Sequence, residues 1–128
     1  MEQTKLLDAH VQVRRMYNLL TEVEDLTIQM AQSLDRNDSM ALQLLMSMRE
    51  EPIRKMAQAR DALFQQLEGL NQEDAMRLRA LLNGEKPIIP EEKGLADQVA
   101  MNSRLMERVK ILDSQVNRKI TRDKSVYN

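Results

Sequence analysis

The sequence LLDAHVQVRRMYNLLTEVEDLTIQMAQSL, residues 6–34, carries apolar or small side chains at alternating steps of three and four residues. This spacing puts its members on one face of a single α-helix, and such a face must be buried against other apolar surface. The stretch therefore predicts a long amphipathic helix within a helical bundle. The positions of the stripe are Leu6, Ala9, Val13, Met16, Leu20, Val23, Thr27, Met30 and Leu34.

The rest of the chain divides into helices with recognisable ends. Asp38 and Asn71 have the side chains that cap helix N-termini, and Gly69 and the pair Asn83–Gly84 are typical of helix C-termini. Two prolines mark the segment least able to be helical, before the last stripe begins. The predicted elements are helices over about 2–35, 38–69, 71–83 and 91–120, a linker over 84–91 and a flexible tail over 121–128.

Pro52 lies within the second predicted helix, where a proline removes one backbone hydrogen bond and costs about 3 kcal/mol. Either this helix continues with a kink, or it breaks and Pro52 opens a new helix. The apolar stripe keeps its phase across the proline, which favours a continuous helix. In the linker we expect Ile88 and Ile89 to pack onto the bundle.

These elements predict an all-α fold in one domain over 1–128. Short connections favour antiparallel neighbours, so we expect an elongated antiparallel hairpin or bundle of three long helices and one short helix. Aromatic residues make up 2% of the chain, and ten Met fill part of the volume that aromatic side chains usually occupy. Met packs adaptably, which suits a surface that binds flexible partners, although Met is also simply a good helix former.

Charge and composition narrow the classes of function. The net charge of −1 argues against bulk attraction to nucleic acid, although the residues from 104 onward hold seven Lys or Arg against three Asp or Glu. No apolar run approaches the ~20 residues of a membrane span, and residues 1–5 lack the apolar core of a secretion signal. We expect a soluble, cytoplasmic protein with no membrane partner, and the overall charge disfavours a nucleic-acid partner.

The residues that could do chemistry form no recognisable site. There is no Cys, the three Gly are scattered, and the single His10 has Leu7 where a di-metal helix motif would place Glu. The acidic turn at 35–39 lacks the Gly and Glu of a calcium loop. We therefore expect no enzymatic activity, cofactor, metal or small-molecule substrate, and a structural or solvent-facing role for His10.

Arg49 and Arg60 are unusual because they lie on the apolar stripe of the second helix. Their stems could pack while their charged ends reach the helix edge. Alternatively, one of them could pair with a partner's carboxylate or fix the register inside the bundle. Tyr127, near the C-terminus, is one of only two tyrosines and is a candidate anchor for a partner.

Three stretches resemble the small flagellar type III export chaperones, of the FliT and FlgN kind. Residues 34–38, with Leu45 and Arg49, resemble the family's acidic turn and the leucine-rich start of its second long helix. Residues 101–120 resemble its last long helix, and 122–128 are similar to its basic tail with a tyrosine. The resemblance extends over the whole chain in its predicted architecture.

The resemblance implies a chaperone that holds a flagellar filament-cap or hook-associated protein and delivers it to the export gate or export ATPase. The client would contribute an amphipathic helix to an apolar groove between the long helices. In such chaperones the last helix can cover the groove, here through Leu105, Val109, Leu112 and Val116. The residues that we expect to contact a partner are Arg49, Ile53, Met56, Arg60, Leu63, Leu105, Val109, Leu112, Val116 and Tyr127.

Two other hypotheses remain open. The long amphipathic helices could bury one face against a second copy, as in a coiled-coil homodimer or a larger assembly protein. The basic last helix could instead bind nucleic acid, although it lacks the interleaved aromatic side chains that stack on bases.

Overall fold

The computed structural model describes residues 1–127, with side chains described as far as residue 122. Within that range the chain is helical with no strand, so the prediction of an all-α fold is confirmed. Three helices are long and one is short. The elements are α1 (Gln3–Asp35), α2 (Ser39–Glu68), α3 (Gln72–Leu82), a 3₁₀ turn (Pro90–Glu92) and α4 (Lys93–Tyr127).

The stripe of α1 forms the centre of the core, as its spacing predicts. Each of its nine residues is buried except Met16 and Leu34, which are half-buried. At one end of the bundle, the stripe packs with apolar side chains from α2, α3 and the start of α4. Further along, it packs with α4 in one cluster and with both α2 and α4 in the next.

The predicted caps position the helix ends. The side chain of Asp38 accepts a hydrogen bond from the backbone N–H of Ala41 at 3.0 Å. Asn71 accepts one from the N–H of Asp74 at 2.8 Å, so each side chain satisfies a donor that the helix itself leaves free. Asn37, in the turn before α2, has a left-handed φ of 56°, which Asn tolerates better than most residues.

Helix α2 continues through Pro52, which confirms the continuous alternative over the break. The proline ring is buried. Burial of the ring offsets part of the cost of the backbone hydrogen bond that proline cannot donate.

Helix α1 lies between α2 and α4, and close backbone contacts between α2 and α4 themselves are sparse. Helix α2 runs antiparallel to α1, whereas α4 runs parallel to it. The parallel direction follows from ties of α4 to α1 that advance along both helices together: Asn102 to Val13, Arg108 to Glu24 and Lys119 to Asp35. Helices α2 and α4 therefore run antiparallel to each other, and α1 and α4, which no short connection joins, run parallel.

The parallel direction follows because α2 returns the chain to the end of the bundle where α1 begins, and α4 starts at that same end. Arg77 of α3 fixes the connecting segment 83–92 there. Its guanidinium donates to both carboxylate oxygens of Glu92, at 2.9 and 2.7 Å, and to the backbone oxygen of Lys86 at 3.0 Å. The carboxylate of Glu92 also accepts from the N–H of Ile88 at 2.8 Å.

The linker contradicts one expectation. Ile88 and Ile89 are exposed, by 76% and 42%, and do not pack onto the bundle. The interior position at this corner belongs to Glu92, which is 4% exposed. Its ion pair with Arg77 holds the loop close to the bundle without the isoleucine side chains.

The predicted flexible tail over 121–128 stays a prediction. The backbone of α4 is helical to Tyr127, but the side chains of 123–128 lie outside the described residues. The side chain of Tyr127 is among these, so its suggested role as an anchor for a partner also stays a prediction.

Candidate helix-binding groove

An apolar groove of about 490 Å³ lies between α2 and α4, and we call it the α2–α4 groove. Val13 and Met16 of α1 line its floor. Phe64 lines the α2 side, and Met106 lines the α4 side. The groove exists because α2 and α4 both pack on α1 without closing on each other.

Phe64, the only Phe of the chain, is 53% exposed in this groove. Met106, on the facing wall, is 38% exposed. Large apolar side chains that are exposed along one groove mark surfaces that other molecules cover, and aromatic side chains contribute strongly to such contacts. Met adapts its shape to different neighbours. The groove therefore has the composition of a site for an apolar partner surface.

The groove has the length of a short helical segment. Its α4 wall extends from Val99 to Lys110, which corresponds to a rise of about 16 Å, or three helical turns. At one end it is bordered by Leu82 and Asn83, where α3 ends. An α-helix laid in the groove would contact it through residues spaced i, i+3, i+4 and i+7.

Beyond the other end of the groove, Arg49 joins all three long helices. Its Nη1 donates to Oδ1 of Asp113 on α4 at 2.7 Å, and to Oγ1 of Thr27 on α1 at 3.2 Å. Thr27 is fully buried, and its hydroxyl donates in turn to the backbone oxygen of Val23 at 2.7 Å. The carboxylate that Arg49 contacts in this structure therefore belongs to the bundle itself.

Polar side chains on the walls include two cations. Arg60 on α2 is exposed, and it makes no ion pair or hydrogen bond within the described part of the chain. Lys110 on α4 has Glu107 as its carboxylate neighbour, at 4.0 Å between Nζ and Oε1. Asn102 is already engaged, since its amide donates to the backbone oxygen of Val13 at 2.8 Å.

The partner-binding residues predicted from the sequence fall into different environments. Four of them are buried in the core, namely Leu63, Leu105, Val109 and Val116. The last three of these pack against α1. A partner would reach those three only by displacing α4. Among the ten predicted residues, Arg60 and Leu63 line the groove. Of the others, Arg49, Met56 and Leu112 are half-buried, and Ile53 is 46% exposed.

Sequence reasoning did not select Phe64 or Met106 for binding. Both directly follow a stripe residue, Leu63 or Leu105, and lie about 100° further around the helix. That offset moves the side chain from the core to the wall of the groove. Two features of the sequence could have identified them. A large apolar residue directly follows a stripe residue on each of two helices that pack on the same third helix. One of these residues is also the only Phe of the chain.

A second exposed apolar row lies elsewhere on α2. Met40, Leu44 and Met48 follow one another at steps of four residues and are 82%, 63% and 49% exposed. None of the three lines the α2–α4 groove. This row is a separate candidate for contact with another chain.

His10 is half-buried near the start of α4. A methyl group added at Gly94 would lie 3.3 Å from Cε1 of the imidazole, so the ring packs closely on this glycine. No cluster of three or more His, Cys, Asp or Glu suited to a metal ion occurs among the described residues. In the same part of the chain, none of the helices is both long and apolar enough to span a membrane.

Comparisons with protein-family models, with curated proteins and with solved structures gave no match to this chain.

Proposed function

We propose that this protein is an export chaperone that binds an amphipathic helix of a flagellar filament-cap or hook-associated protein in the α2–α4 groove. The observation that carries the proposal is the exposure of Phe64 and Met106 on facing walls of one apolar groove. A helix of an aggregation-prone client would bury these side chains and hide its own apolar face. The chaperone itself would make or break no covalent bond.

The resemblance to the flagellar chaperones supplies the identity of the client. In such a role the protein would act in the cytoplasm and pass its client to the export gate or export ATPase. The groove supports the binding of an amphipathic helix, and the resemblance supports the flagellar identity of that helix. Helix α1 would serve as a rigid floor that holds the α2 and α4 walls apart.

The proposal is tested by titrating the protein with purified flagellar filament-cap and hook-junction proteins in a calorimeter. We expect binding that Phe64→Asp weakens by about thirtyfold or more, because a charge would replace an aromatic anchor. Leu44→Asp is the matched control, since Leu44 is an exposed apolar residue of α2 outside the groove. If Leu44→Asp alone abolished binding, the client would bind the apolar row of Met40, Leu44 and Met48 and not the groove.

The row of Met40, Leu44 and Met48 favours a second candidate function, a homo-oligomeric assembly protein. Apolar side chains at steps of four residues can pack against the same row of another copy. Light scattering would then show a stable oligomer without any client, and Leu44→Asp would dissociate it. A monomer at all concentrations would contradict this candidate.

A further inference from the structure

The two cations of the α2–α4 groove stand on opposite walls. Arg60 belongs to α2 and Lys110 to α4, and both line the groove. By contrast, Arg54, Arg77 and Arg108 each pair with a carboxylate of this chain. Arg60 has no such partner within the described residues, and the ion pair of Lys110 with Glu107 is long and exposed. Exposed pairs of this kind contribute little, so both cations are available to a ligand.

The ion pair between Arg49 and Asp113 gives the distance between these cations along the groove. Since α2 and α4 run antiparallel and this pair sets their register, Lys110 lies opposite position 52 of α2. Arg60 is eight residues further along α2. At 1.5 Å per residue, the two cations are about 12 Å apart along the groove, or roughly two helical turns.

We propose that the helix that occupies the groove carries a carboxylate on each edge of its apolar face, about two turns apart. This inference rests on the proposed function and specifies the chemistry of the partner. One carboxylate would pair with the guanidinium of Arg60, and the other with the ammonium of Lys110. The apolar residues between them would cover Met106, and those one turn beyond the first carboxylate would cover Phe64. Arg60 can hold its carboxylate through two parallel hydrogen bonds.

Glu107 adds a restriction to this pattern. It lines the same α4 wall one turn from Lys110 and is exposed. A third carboxylate on the partner that faced Glu107 would be repelled by it. A partner helix with a third carboxylate would therefore be disfavoured in the orientation that places this group against Glu107.

The test uses two synthetic amphipathic helices of about twenty residues, long enough to be helical in an alanine-rich sequence. Both carry Leu at i, i+3, i+4 and i+7, and one Glu on each edge of the Leu stripe two turns apart. In the second peptide both Glu are replaced by Gln, which has nearly the same helix propensity. Binding of each to the full chain is measured by fluorescence anisotropy at low and at high salt.

We expect the Glu peptide to bind about five- to tenfold more tightly than the Gln peptide at low salt, and the difference to shrink at high salt. Arg60→Gln and Lys110→Gln should each remove part of the difference, and the double variant should remove it. Arg104→Gln is the matched control, because it removes an equal charge from an exposed position of α4 outside the groove. It should leave the difference unchanged.

Other outcomes separate this inference from the proposed function. If both peptides bind equally and Phe64→Asp weakens both, the carboxylate pattern is wrong and helix binding stands. If neither peptide nor any flagellar client binds, both proposals fall. If the protein alone forms a dimer that Phe64→Asp dissociates, a second copy occupies the groove, and the inference is overturned.

Discussion

Arg49 on α2 and Asp113 on α4 are 64 residues apart in sequence, yet they form an ion pair of 2.7 Å across the molecule. The guanidinium also donates to the buried Thr27 of α1, so one side chain connects the three long helices. The side chain of Arg49 is 19% exposed and that of Asp113 is 41% exposed. The pair is therefore screened in part by water but retains the geometry of a direct contact.

The first prediction concerns this pair. We expect Arg49→Ala to lower the free energy of unfolding by about 1–2 kcal/mol, because it removes two hydrogen bonds and leaves Asp113 without its partner. A double-mutant cycle with Asp113→Ala, measured by urea unfolding, should give a coupling of about 0.5–1 kcal/mol. Arg60→Ala is the control and should change stability by less than about 0.5 kcal/mol. Equal effects of both arginine variants would refute the role of Arg49.

The second prediction concerns the interface between α1 and α4. Leu105 is 1% exposed and packs with Leu20 and Val23. Leu105→Ala should destabilise the protein by about 2–5 kcal/mol, through lost burial and the cavity that remains. Met101→Ala, one turn earlier and 40% exposed, should cost less than about 0.5 kcal/mol in the same thermal-unfolding assay. Comparable losses for both would show that α4 does not dock on α1 through this face.

The third prediction concerns pH. The guanidinium of Arg77 and the N–H of Ile88 lower the pKa of Glu92 from its ordinary value of 4.5 to about 2. Because the pKa of a carboxyl group is lower in the folded state, its contribution is fully present above about pH 4.5. It is lost as the pH falls toward 2.

Glu92→Gln should therefore flatten the decline in stability between pH 4.5 and 2, by about 1–2 kcal/mol after allowance for screening of the partly exposed Arg77. The measurement is urea unfolding across this pH range. Glu91→Gln, at the exposed neighbouring position, is the control and should leave the slope unchanged. An unaltered pH dependence in the Glu92 variant would show that its carboxylate is not held as described.

The fourth prediction separates folding from binding at the groove. Phe64 is 53% exposed, so Phe64→Asp should change the free energy of unfolding by less than about 1 kcal/mol while it abolishes most partner affinity. Leu63→Asp places a charge in the core one residue earlier and should unfold the protein. Circular dichroism at rising temperature distinguishes the two. A cooperative loss of structure in the Phe64 variant would mean that this side chain supports the fold.

Much of the fold follows from spacing and capping in the sequence. The stripe of α1 specifies which face is buried, and Asp38 and Asn71 act as the caps that their side chains indicate. The path of the 83–92 segment could not be obtained this way, because it depends on the ion pair between Arg77 and Glu92. The local sequence pattern likewise does not show that Glu92, rather than Ile88, takes the buried position at this end of the bundle.

The candidate site was less predictable than the fold. A stripe identifies residues that must be buried, and Leu105 and Val109 are buried against this chain's own α1. A groove forms instead where two helices pack on a third without meeting, which depends on the spacing of three axes. Phe64 lies beside the stripe, and only the position of α4 shows that it lines the same groove as Met106.

The most direct test uses the methionine methyl groups as reporters in NMR spectra of the protein with and without a bound flagellar client. Met16 and Met106 line the groove, whereas Met40 and Met48 lie on the other apolar row of α2. A client helix in the groove should shift the signals of Met16 and Met106 and leave those of Met40 and Met48 in place. Shifts confined to Met40 and Met48, or no shift at saturating client, would contradict the groove as the binding site.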